Sequence, residues 1–178
     1  MSIPRAALRP DGLLNVVIET PRGATAKFKF DVDSGGFVLS RELPSGLVYP
    51  YDWGFVAATS APDGDPLDAM VLWQSASYPG VVLPSRIVGV LAVEQRGRSA
   101  GRDRNDRLFV VPAKAPRMDH VRTIFDLPER ERDELARFFE NVVAFENKDV
   151  RLLGFHGPGE GHRLLETVIR PAREVEPT

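Results

Sequence analysis

DGDPLDAMVLW, residues 63–73, joins an acidic turn to an apolar run that reads as a β-strand. Gly64 takes backbone angles closed to other residues, and Pro66 fixes φ and lacks an N–H. The first six residues therefore predict a rigid loop rather than a helix. If the chain is extended around Asp63 and Asp65, alternate side chains point the same way, which would aim both carboxylates at one spot that Asp68, just after the turn, could join. Such a spot suits Mg²⁺, a hard cation that prefers oxygen ligands, keeps several waters and joins carboxylates to phosphate oxygens. The plainer reading is a solvated turn, because Asp, Gly and Pro favour turns on any surface. A calcium EF-hand loop is excluded, since that motif needs acidic or amide residues at alternate positions followed by Gly and a distant Glu, and Leu67 and Pro66 sit in the way.

Strand signals continue on both sides. Downstream, residues 81–94 and 107–112 are strand-like, with Gly89 as a bend. Upstream, residues 13–18 form a short β-branched strand closed by Pro21-Arg22-Gly23, with Glu19 at its end. Residues 26–32 alternate with period two, so Lys27, Lys29 and Asp31 share one face. A hairpin at residues 33–36 leads to a returning strand, residues 37–41, which brings Arg41 near the lysines. Residues 43–55, rich in Pro, Gly and aromatics, read as an ordered loop leading into the acids. Five or more strands predict a small barrel. Between its last two strands, residues 96–107 (RGRSAGRDRNDR) read as a solvated arginine-rich hairpin loop. An OB-type nucleic-acid module is the sharper alternative, but Asp103 and Asp106 interrupt the basic run and no aromatic offers a stacking platform.

Asp126-Leu127-Pro128-Glu129 has the form of a helix start, with Asp126 as cap, and helix formers continue to about residue 146. Leu135, Phe138, Phe139, Val142 and Phe145 recur at helical spacing and predict the face packed on the barrel. A last strand over residues 150–155 and a final helix over residues 160–169, with Leu164, Leu165 and Ile169 turned inward, complete the chain. With no repeat and no linker, residues 1–178 read as a single domain, α+β and mainly β. The chain has no Cys, which excludes disulfides, thiolate zinc sites and cysteine nucleophiles. His120, His156 and His162 are scattered, which disfavours a histidine metal site or a Ser-His-Asp arrangement. No run approaches the roughly 18 apolar residues of a spanning helix, and a net charge of −2 gives no global attraction to membrane or nucleic acid.

The order IETP at residues 18–21, KFKFD from Lys27, Arg41, YPYDWGF from Tyr49, DGDPLD, VGVL from Val88 and FFE from Phe138 resembles the family I soluble inorganic pyrophosphatases of bacterial type. The resemblance covers nearly the whole chain. It implies an OB-type distorted five-stranded β-barrel with a flanking hairpin and two packed C-terminal helices. It also implies hydrolysis of pyrophosphate to two phosphates with Mg²⁺, for which Mn²⁺ is a possible substitute, in a cytoplasmic homo-oligomer that in bacterial relatives is often a hexamer. Pyrophosphate is a stable polyanion, so cations must neutralise its oxygens while another agent activates water.

By that resemblance Asp63, Asp68 and an acid near position 105 hold the activating metal, Asp65 acts as base on the nucleophilic water, and Asp68 bridges two metals. Lys27, Arg41 and Arg107 grip phosphate oxygens, Tyr49 and Trp53 line the site, and Glu19 belongs to its wall and metal shell. Several positions depart from the family pattern. Lys29 stands for a Glu, Arg107 for a Lys, Trp53 for a Tyr, Gln95 and Asn105 for two acids, and Val142 and Val143 for a Tyr-Lys pair. A one-residue shift of register brings Glu94 or Asp106 into the metal set instead. The changes move the site toward positive charge and predict fewer metals, with protein cations in place of some. Two alternatives follow: a degenerate fold that binds a phosphorylated ligand or partner, and a hydrolase of another phosphoanhydride.

Overall fold

Five strands close into a ring in the computed structural model, which describes residues 3–97 and 101–169. In chain order the strands are β1 (Leu14–Thr20), β2 (Ala26–Asp31), β3 (Gly36–Glu42), β4 (Asp52–Val56) and β5 (Asp68–Val71). They continue with β6 (Val82–Arg96), β7 (Arg102–Arg104), β8 (Arg107–Pro112) and β9 (Arg151–His156). Helix α1 (Glu129–Asn141) precedes β9, and α2 (Pro158–Val168) follows it. The ring runs β1–β4–β5–β8–β6 and back to β1; only the β5–β8 pair is parallel. Closure removes the free edges that an open sheet must protect. The long β6 has a register shift between Ile87 and Gly89, continues to pair with β8 as far as Leu91, and carries β7 and β9 on its second half. The hairpin β2–β3 forms its own two-stranded sheet beside β1. The barrel, flanking hairpin and C-terminal helices match the mainly-β, OB-type expectation.

Four local expectations are corrected. Residues 52–56 are a strand, not loop, because they lie sandwiched between β1 and β5 and are buried throughout. The carboxylate of Asp52, which would mark a loop in an exposed strand, is satisfied inside by the amides of Arg22 and Ser77 and by Trp73 Nε1, at 2.7, 2.9 and 2.8 Å. The arginine-rich loop is partly strand, with Arg102–Arg104 pairing Glu94, Gln95 and Arg96; Arg98 lies outside the described residues. Helix α1 starts after Pro128 rather than Asp126, which instead closes a capping box with Thr123 around the short 3-10 turn Ile124–Asp126. It also stops at Asn141, where Asn and the β-branched Val142 and Val143 are weaker helix formers than the residues before them. The helical period then no longer applies, so Val142 is buried but Phe145 is 90% exposed. In α2, which begins two residues early at Pro158, Leu165 and Val168 are buried, whereas Ile169 leaves the helix to bridge Thr59.

The core beneath the site is aromatic. Phe109 on β8 is fully buried and meets Phe139 of α1 edge-on at 6.2 Å and Phe155 of β9 at 5.7 Å. Deleting that ring leaves a cavity between barrel and helix. Phe109→Ala is expected to destabilise the protein by about 3–5 kcal/mol, read as a lower urea midpoint at unchanged slope.

Candidate active site

Strand register builds the site. The parallel pairing of Ala69 with Leu108 sets the first residues of β5 and β8, Asp68 and Arg107, side by side. Arg107 Nη1 donates to Asp68 Oδ2 and to Asn105 Oδ1. On β1 the pairing with β4 slips between Ile18 and Thr20, so Glu19 is the extra residue of a bulge. Bulges re-aim side chains. Here the Glu19 carboxylate reaches the hairpin and accepts the Phe30 N–H at 2.7 Å. Within the hairpin the returning strand brings Arg41 near the lysines as expected, and a bulge that skips Ser40 sets it directly opposite Lys27.

Glu19, Asp65 and Asp68 line one cavity of about 400 Å³ with Lys27 and Lys29. Lys27 also lines a second, adjoining cavity with Arg41, Tyr49, Trp53, Arg107 and Lys148, backed by Phe138, Phe139, Val142 and Val143. The Trp53 ring faces two cations, with Lys27 Nζ 5.8 Å and Arg107 Cζ 5.6 Å from its centroid. Its Nε1–H is buried and has no acceptor among the described residues. A donor left unpaired in a cation-lined pocket is available to an anionic ligand.

The electrostatics of the two cavities are opposed. Burial pushes the Glu19 carboxyl up to about 7, the Phe30 N–H opposes, and the negative charges of Asp68 and Asp65 add to the rise. Burial, reinforced by Asp65 and Asp68, likewise holds Asp63 above the usual carboxylate range against the pull of the Asp65 amide. Lys27 is held below the ordinary lysine value by burial and by Arg107 and Arg41, with Asp68 and Glu19 opposing. Burial raises the Tyr49 hydroxyl well above its usual range. Acids that repel one another, all with oxygen donors, fit a hard divalent cation. Among the described residues no three acids are gathered closely enough to hold a metal alone.

The acidic hexamer is the rigid loop expected, but it is not extended around Asp63 and Asp65. Gly64 has φ +86°, and the Asp65 N–H donates to Asp63 Oδ1 at 3.2 Å, so the stretch is a turn. It is pinned by buried Leu67, whose N–H donates to Thr59 Oγ1 at 2.9 Å. Asp65 and Asp68 face the acid cavity, while Asp63 braces the turn and is not among that cavity's lining. Glu94 and Asp106 are not brought to that lining either. Glu94 pairs with Arg102 at 3.6 Å, and Asp106 accepts the Val93 N–H at 2.9 Å and is forked by Arg104. It is Asn105 that reaches the Arg107–Asp68 pair. Glu146 and Lys148, absent from the sequence reading, enter from the turn after α1; no motif or periodicity marks them.

Comparison with known proteins matches residues 16–173 to the family model described as inorganic pyrophosphatase. A Synechocystis protein named inorganic pyrophosphatase is 41% identical over 171 residues, 96% of this chain and 98% of the relative. The crystal structure of inorganic pyrophosphatase from Thermus thermophilus superposes with a TM-score of 0.83 at 34% identity, covering 93% of this chain and 97% of that one. The Helicobacter pylori enzyme gives a TM-score of 0.81 at 32% identity, with 95% and 96% covered.

Proposed function

The chain belongs to the inorganic pyrophosphatase family, and we propose that it hydrolyses inorganic pyrophosphate to two phosphates at the paired acid and cation cavities, with Mg²⁺ as the divalent metal and Mn²⁺ as a substitute. The observation that carries the reading is the juxtaposition itself: oxygen donors suited to a divalent ion adjoin donors suited to phosphate, with Lys27 in both.

When bound, the metal supplies neutralising charge to the phosphates and a more acidic water. Asp68 and Glu19, both in the lining of the acid cavity, would hold it, with Asp63 on the adjoining turn. Asp65, exposed on the loop between β4 and β5, accepts the proton of the attacking water. Arg41 and Arg107 present planar forks to phosphate oxygens, and Lys27 a compact charge. Tyr49 O–H and Trp53 N–H donate from the wall of the cation cavity. The aromatic wall of α1 keeps water from the far side of the substrate, which strengthens each of these contacts. Arg107 spans Asp68 and Asn105 with its own positive charge, which supports a site that takes fewer metal ions than one with acids at positions 95 and 105.

Phosphate release from pyrophosphate is expected to rise with Mg²⁺, to persist with Mn²⁺ and to vanish with EDTA. Absence of release with either ion, from folded protein, overturns the reading in favour of a binding role or another phosphoanhydride. The same reading makes the protein a cytoplasmic homo-oligomer, with the hexamer as its expected form, which sedimentation tests. No helix among the described residues is long and apolar enough to cross a membrane.

A further inference from the structure

We propose that Lys148 is a substrate-binding residue of this site and that the Glu146 carboxylate occupies a phosphate position, between Lys148 and Arg41, until pyrophosphate displaces it. The inference rests on the pyrophosphatase reading above. After Asn141 the chain leaves α1 and folds over the cation cavity as a series of turns, ending at Asp149 with φ 43°. Val142 and Val143 present only apolar surface to that cavity, so this side of it has no donor until the turn returns with Lys148.

Glu146 lies between two of the cavity's four cations. Its Oε1 is 2.7 Å from Arg41 Nε, and its Oε2 is 2.8 Å from Lys148 Nζ. Arg41 is also tied to the turn itself, since Nη2 donates to the Val142 carbonyl at 3.0 Å. One anion thus spans two cations through two oxygens, which is how a phosphate group engages such a pair. Arg107 is engaged by Asp68, whereas Lys27 and Lys29 make no ion pair among the described residues. Pyrophosphate carries more charge than a single carboxylate and reaches Lys27 as well. It therefore exchanges with Glu146 rather than adding to it; the Glu146 side chain is 26% exposed with Oε1 buried, so leaving Arg41 requires the carboxylate to turn outward past the rim of the cavity.

Displacement and mere bracing of the turn predict opposite signs. If Glu146 competes with substrate, Glu146→Gln lowers KM for pyrophosphate severalfold, because the amide keeps the turn's shape without the competing charge. If Glu146 only positions Arg41, the same change raises KM. Lys148→Ala is expected to raise KM about tenfold or more with a smaller effect on kcat, and Lys148→Arg to restore it within a few fold. Calorimetric binding of imidodiphosphate, which is not turned over, should move with KM in each variant. In proteins of unchanged melting temperature, a raised or unaltered KM and analogue Kd for Glu146→Gln overturns the latch. Unaltered values for Lys148→Ala overturn the binding role. A parent protein that neither turns over pyrophosphate nor binds the analogue overturns the pyrophosphatase reading itself, and this inference with it.

Discussion

Asp65→Asn is expected to lower phosphate release at saturating Mg²⁺ by about 10²-fold or more while leaving the melting temperature essentially unchanged. The two halves of that expectation have separate sources. Asp65 is exposed, and its side chain makes no hydrogen bond or ion pair among the described residues. The turn is held by its backbone instead, through the Ala61 N–H to Asp65 carbonyl bond at 2.7 Å and the Asp65 N–H to Asp63 Oδ1 bond. An amide of the same shape preserves both. It cannot accept a proton from water, however, so the loss falls on the chemical step, in kcat more than in KM. The variant also controls for contaminating enzyme, since purification carries any contaminant alongside both proteins. Release within a few fold of the parent would remove Asp65 from the role of base.

Which parts of this site were legible in the sequence follows from how local each determinant is. Alternation in residues 26–32 and the hairpin signal at residues 33–36 sufficed to bring Arg41 near the lysine-bearing strand, because a hairpin's pairing is set within a few residues; its direct pairing with Lys27 needs a bulge at Ser40 that neither signal carries. The DGDPLD acids were recognisable for the same reason. Their geometry was not, since the φ of Gly64 turns a run that alternation alone would extend. The Asp68–Arg107 contact is a product of parallel register between strands 39 positions apart, on which neither local sequence bears. Strand β4 was misread as loop because its Asp and Gly argue against a strand until their partners are known. Asp52 is satisfied by three buried donors and Gly54 sits against another backbone. Glu94 and Asp106 carry the right chemistry in the sequence, but neighbouring arginines hold them elsewhere. Glu146 and Lys148 lie past the point where α1 stops, in a segment without period or motif.

Gly54 is the position where fold and site meet most tightly, and Gly54→Ala is expected to cost about 3 kcal/mol or more of stability. A Cβ built there lies 1.9 Å from the Val17 carbonyl oxygen and 2.8 Å from its carbon. Those are backbone atoms of β1, so no rotamer change relieves the clash; the strands themselves must part. They part at a sensitive place, because Gly54 pairs with Ile18 immediately before the bulge that aims Glu19 at the hairpin. Separation of β1 from β4 therefore also moves Glu19 relative to Asp68 on β5, which β4 carries on its other side. Two readouts follow from this one contact. Urea unfolding should show the midpoint falling at unchanged slope, and activity measured well below the new melting temperature should still be reduced, because the strain persists in the folded state. A loss under about 1 kcal/mol would mean that β1 and β4 do not approach this closely. A full loss of stability with normal activity in the remaining folded protein would mean that the bulge holds Glu19 in place independently of its partner strand.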